Sequence, residues 1–148
     1  MSSSLHHSQA DVLRWLLVSL GIGTDPTDDV SWPIHASSEP DLPDNMLTIY
    51  DTTGITEGRI QRTGETVEHR GVTIQIRGTD YRTAWSKSNA VRVALDESIS
   101  VSSVSIGGYN YTVHAVTIKS GPLALGKEPT TNRFLFTINA VMSLRQTN

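Results

Sequence analysis

Few residues in this chain could do acid–base chemistry: outside the N-terminal tail the histidines are His35, His69 and His114. A general acid or base needs a second positioned group and a pocket around both. His35 falls in a proline-flanked extended segment, His69 in a charged stretch and His114 on a strand, so none is expected to be catalytic. The adjacent pair His6-His7 lacks the further ligands that a zinc site needs and reads as a solvated tail. Asp28-Asp29 lacks the regular series of oxygen ligands of a calcium loop and reads as a turn. With no cysteine in the sequence, disulfides, thiolate zinc sites and a Cys nucleophile are excluded, which fits a reducing cytoplasm. Gly-x-Ser-x-Gly, Gly-x-x-x-x-Gly-Lys and His-Glu-x-x-His are all absent. The expectation is therefore a protein without cofactor, metal or enzymatic activity.

The elements that position the remaining residues must come from one domain over 1–148, since a chain of 148 residues buries roughly 70% of its unfolded surface. The net charge of −3 argues against a dedicated DNA binder and a polybasic membrane anchor. The run Trp15-Leu16-Leu17-Val18 is far too short to span a bilayer. Met1 to Gln9 contains no Lys or Arg, so neither a secretory leader nor a membrane partner is expected.

Ser8 as cap, Asp11 three residues later and Gly21 as stop predict a first helix. Its core face is Leu13, Leu16, Leu17 and Leu20, with Trp15 and Val18 on the opposite side. That second patch is covered either by the same chain or by a neighbouring subunit. An edge segment at Trp32–Ala36 and strands at Met46–Tyr50 and Val72–Arg77 follow. A second helix is predicted from Thr79 or Asp80 to about Glu97, burying Tyr81, Ala84, Trp85, Ser88, Val91 and Leu95. At its edge Arg92 either snorkels out over a packed stem or forms an ion pair between subunits. A strand ending at Ile106, a Gly107-Gly108 turn and a return strand from Tyr109 to Ile118 make a hairpin. A connection over 119–131 precedes a last strand on which Phe134, Phe136, Ile138, Ala140, Met142 and Leu144 alternate with polar residues.

The order predicts an α+β fold, a mainly antiparallel sheet with both helices on one face. Thr48, Thr73, Gln75, Arg77, Thr112, His114, Thr137, Asn139 and Ser143 are expected to line the other, polar face. Between the second strand and the next runs an arm, about 51–71, with little apolar residue and charge of both signs. Such an arm suits a charged protein surface better than bare nucleic acid. Arg59, Arg62, Glu65, Glu68 and Arg70 on the arm, with Trp15, Val18, Arg92, Lys119, Lys127 and Glu128 elsewhere, are the candidate interface residues. Tyr109 and Tyr111 read as core or subunit contacts rather than base-stacking platforms.

The opening helix, Trp32-Pro33-Ile34, Leu42-Pro43-Asp44-Asn45 running into Ile49-Tyr50-Asp51-Thr52, the arm, the Val72–Ile76 strand, Asp80-Tyr81 and the closing Phe134-Leu135-Phe136 strand together resemble the tail-terminator proteins of long-tailed bacteriophages, some catalogued as minor capsid proteins. The likeness spans residues 8 to 145. It implies a six-fold ring in the virion, at the head–tail junction and assembled in the host cytoplasm. That ring would cap the tail tube, stop its polymerisation and offer a surface to the head-side connector or stopper. From exposure and charge, Thr73, Gln75, Arg77, Thr112 and His114 of the polar sheet face are expected to border the channel of such a ring, where weak contact lets genomic DNA slide past. A neck or head-completion adaptor of the same virus is the nearest alternative; a small-molecule enzyme or binding domain, with a pocket converging on His35, His69 or His114, is the more distant one.

Overall fold

The computed structural model describes residues 6–24, 32–39, 44–52, 55–56, 68–98, 102–128 and 132–146. Helix α1 is Gln9–Ser19 and begins where the cap residue predicts: the Ser8 hydroxyl accepts the Asp11 backbone N–H. Leu20 then leaves the helix, and Gly21 takes a positive φ of 78°. Helix α2 is Tyr81–Val93, capped by the Asp80 carboxylate, which accepts the N–H of Thr83 and is held below the usual carboxylate range by that bond. A π-helical turn, Ala94–Ser98, completes the expected span.

The strands are β1 Ile34–Ala36, β2 Met46–Asp51, β3 Ile55–Thr56, β4 Glu68–Gly78, β5 Ser102–Ile106, β6 Tyr109–Lys127 and β7 Phe134–Gln146. They form one sheet in the order β1-β2-β4-β7-β6-β5, with β3 added to β4. All pairings are antiparallel except β1 with β2. The α+β architecture is as expected, with a small parallel component at one edge.

Alternation along the strands sets the two faces. Leu47, Ile49, Val72, Ile74, Ile76, Phe136, Ile138, Ala140, Met142 and Leu144 form one core cluster with Val12, Leu13, Leu16 and Leu17 of α1 and Ala84, Val91 and Leu95 of the second helical segment. Burying a single such aliphatic side chain stabilises by roughly 1.5–3 kcal/mol.

Several expectations need correction. Residues 119–127 are not a loop but the second half of β6, paired with β7 through register shifts that break the two-residue period. At one shift Gly121 has φ 105°, and a Cβ there would lie 2.5 Å from the Thr137 carbonyl oxygen, so only glycine fits. The arm is shorter than expected, because β4 starts at Glu68 and Thr56 pairs with it; residues 57–67 lie outside the described residues. Leu20, Tyr81 and Trp85 are not core residues but exposed, and Val12, unforeseen, is fully buried. His6 and His7 are no free tail: His6 stacks on Tyr109 at 3.9 Å, and His7 Nδ1 lies 2.6 Å from the Tyr111 hydroxyl. Tyr111 is a core residue.

Candidate functional site

The structure places His35, His69 and His114 in three different settings. His35 pairs with Thr48 at one sheet edge, and His69 lies opposite Ser143, its Nδ1 2.7 Å from the Ser143 hydroxyl. His69 is six positions along β4 from Gln75, the partner of Thr48, so the two rings are separated by about 20 Å. Burial, and then the charges of Arg14 and Arg77, lower the pKa of His35. His114 occupies the first register shift of β6 and leaves Nε2 buried without a partner. The three do not converge on one pocket. Among the described residues no group of three or more acidic or histidine side chains could hold a metal, and no helix is long and apolar enough to cross a membrane.

The helix-free face divides into two ends. At one end Met46, Thr48 and Arg77 are fully buried, although they alternate away from the main core cluster. Arg77 donates from Nε to the Asp44 carbonyl at 3.1 Å and faces Glu39 at 3.4 Å. Arg133, 5% exposed, donates to Glu128 at 2.7 Å and to Asp44 at 3.3 Å. Burial raises the pKa of Glu39 despite both arginines, and one of its oxygens has no partner. The expectation that Arg77 borders a channel is therefore overturned: it is 1% exposed, with Glu39 and the Asp44 carbonyl against it. At the other end Thr73 donates to Asn139 Oδ1 at 2.7 Å, and Asn139 donates to Ser120 at 3.0 Å, a polar ladder across three strands. Gln75 and Thr112 are half-buried on the same face.

The other candidate interface residues fall in different places. Trp15 and Val18 are half-buried beside a groove of about 270 Å³ shared with Ser103, Val104 and Ser105 of β5, so their own chain covers part of them. Arg92 pairs within its helix, with Asp96 at 3.2 Å and with Asn89, a contact worth about 0.3–0.5 kcal/mol. Arg70 is half-buried opposite Met142, and Glu68 opens β4. Arg59, Arg62 and Glu65 lie outside the described residues. Lys119 and Lys127 are exposed on β6, and Lys127 Nζ sits 5.7 Å over the Phe134 ring. Glu128 is held by Arg133.

A different surface stands out, which reading the sequence missed. Strand β5 covers β6 only over Tyr109–Val113, and among the described residues no strand pairs with the outer edge of β6 beyond that. Among the described residues, four of the five exposed large hydrophobic ones flank this edge: Leu123 and Leu125 on β6, Tyr81 and Trp85 on α2. Tyr81 packs edge-on to Phe134, 5.9 Å away, and Trp85 lies 6.0 Å from Phe136. Phe134 and Phe136 are in register with Lys127 and Ala124 of β6. The opposite flank of α2 has another character. There Trp32, Arg82, Thr83, Ser86, Lys87 and Ala90 line an open groove of about 490 Å³. Lys87 Nζ sits 5.2 Å over the Trp32 ring and donates to the Ile22 carbonyl, and burial lowers its pKa. The hydrophobic period of α2 marks Tyr81 and Trp85 as apolar, but only the limits of the sheet reveal that they protrude.

An unpaired edge, shaped by bulges and flanked by large apolar side chains, is suited to protein contact. A family model described as "Bacteriophage tail terminator protein" matches residues 16–146. No curated protein matches the chain. The chain belongs to the bacteriophage tail terminator family and is a structural component of the virion tail.

Proposed function

We propose that copies of this chain close into a six-membered ring that sits on the finished tail tube, blocks addition of further tube subunits and presents a new surface to the head-side connector. The observation that carries this reading is the open edge of β6 with Leu123, Leu125, Tyr81 and Trp85 around it. A surface of that kind is left exposed by a monomer but covered in an assembly. Ring closure demands two unlike, complementary surfaces on each chain, because a head-to-tail contact repeats until the rotation closes. Family membership supplies the tail setting.

The mechanism is steric and electrostatic, with no bond made or broken. The ring occupies the edges that the next layer of tube subunits would use. The arm after β2, charged with both signs at Arg59, Arg62, Glu65 and Glu68, contacts the tube or the neck and sets register there. Each exposed charge pair contributes about 0–1 kcal/mol, so the register comes from their pattern. The ladder Thr73–Asn139–Ser120, with Gln75, Thr112 and His114 near it, borders the channel; its hydroxyls and amides, with Arg145 opposite Thr112 as the nearby cation, let DNA pass with little grip. The protein assembles in the host cytoplasm and stays at the head–tail junction. Phage grown without this chain test the reading: overlong tails without heads are expected, and purified protein added to the extract restores tails of normal length. Normal, joined tails in its absence would refute it.

A further inference from the structure

The two flanks of α2 differ in a way that makes them fit each other. One flank projects the Tyr81 and Trp85 rings, 52% and 43% exposed, beside the open β6 edge at Ala124 and Leu125. The other is concave, walled by the Trp32 indole and Ala90, with the exposed Arg82 at its rim. A guanidinium stacks on aromatic faces, and Trp is the best acceptor of a cation. A convex aromatic patch and a concave cationic groove on opposite flanks of one helix are the pair of surfaces that a head-to-tail contact needs.

We propose that the occupant of the groove is a second copy of this chain: the Tyr81–Trp85 flank and adjoining β6 edge of one copy seat between Trp32 and the Arg82–Ala90 flank of the next. This assignment rests on the ring reading and specifies which surfaces meet. The areas agree with it. An aromatic side chain offers about 150–250 Å², so two rings near half exposure contribute roughly 200 Å², about a quarter of the ~800 Å² per partner of a stable interface. The larger remainder has to come from the β6 edge over 119–127, about 30 Å long, where Leu123 and Leu125 are exposed. Its bulges and its lysines at both ends discourage indiscriminate strand pairing, so the partner is selected by shape.

The absence of cysteine gives a clean test. Ala124→Cys and Ser86→Cys are small changes at exposed positions on the two flanks. With a short bis-maleimide crosslinker, which adds one cysteine thiol at each end, the double variant is expected to give a covalent ladder ending at six copies, in purified protein or in virions. Neither single variant should multimerise. Separately, Trp85→Glu should keep the parent's circular dichroism and melting temperature while weakening self-assembly on the order of 30-fold, as loss of an aromatic hot spot does. No ladder in either preparation, dimers from a single variant, attachment of the Ala124→Cys thiol to a different virion protein, or full assembly by Trp85→Glu would overturn the assignment. If six-fold particles persist under those results, the ring reading stands and only this choice of surfaces fails; if the unaltered chain forms no ring even on tubes, the ring reading itself fails.

Discussion

At one end of the helix-free face, Arg77 and Arg133 lie buried among Glu39, Asp44 and Glu128; at the other, Thr73, Asn139 and Ser120 hold a ladder without a cation. Strand β4 runs through both ends with one alternation, placing Arg77 at the first and Thr73 at the second. What separates them is cover. Glu39, Asp44 and Glu128 lie against the first end, and two buried guanidiniums become tolerable only because carboxylates and a carbonyl meet them. Among the described residues no such cover lies over the second end, where the ladder's hydroxyls and amides cost little to leave in water. The buried end fixes the fold, and the open end remains available as a surface.

Substitutions should expose that contrast as a gradient. Arg77→Ala removes the most buried partner and strands Glu39, so a loss of about 3–5 kcal/mol is expected, read as a fall in Tm of about 10 °C. Arg133→Ala breaks contacts to Glu128 and to the half-exposed Asp44; about 1.5–3 kcal/mol should be lost in urea unfolding. Asn139→Ala, in the open ladder, should cost about 0.5–1.5 kcal/mol and leave assembly intact. Equal losses from Arg77→Ala and Asn139→Ala would erase the distinction between the two ends.

The subtlest expected effect concerns pH. Burial raises the folded-state pKa of Glu39 above its ordinary value of 4.5, so the native state binds a proton where the unfolded chain has lost it. Stability from this group is therefore greatest at low pH and declines as pH rises through the interval above 4.5. Glu39→Gln should flatten that part of a urea-midpoint profile. A wild-type midpoint that rises through the same interval, with the variant unchanged, would contradict the burial account.

Much of the frame is legible in the residues. Ser8 and Asp80 mark both helix starts, Gly107-Gly108 marks the hairpin with positive φ at both positions, and the alternation from Phe134 to Leu144 marks β7. Each of these signals is local. What escapes the sequence is set by distant partners. Arg77 reads as a surface residue because the groups that bury it are 33 or more residues away. The second half of β6 is hidden because bulges at glycine and proline destroy its period while β7 still supplies its hydrogen bonds. Tyr81 and Trp85 share a stripe with buried Ala84 and Ser88, and helix periodicity alone cannot say where the covering sheet stops.

The most direct test of the central claim images the ends of tail tubes, with the chain labelled, and averages the density there. A closed six-fold ring of this protein on the head-proximal end, absent from tubes still growing, is the expected result. Label spread along the tube, or a tube end left bare while tails keep normal length, would contradict capping by steric occupancy.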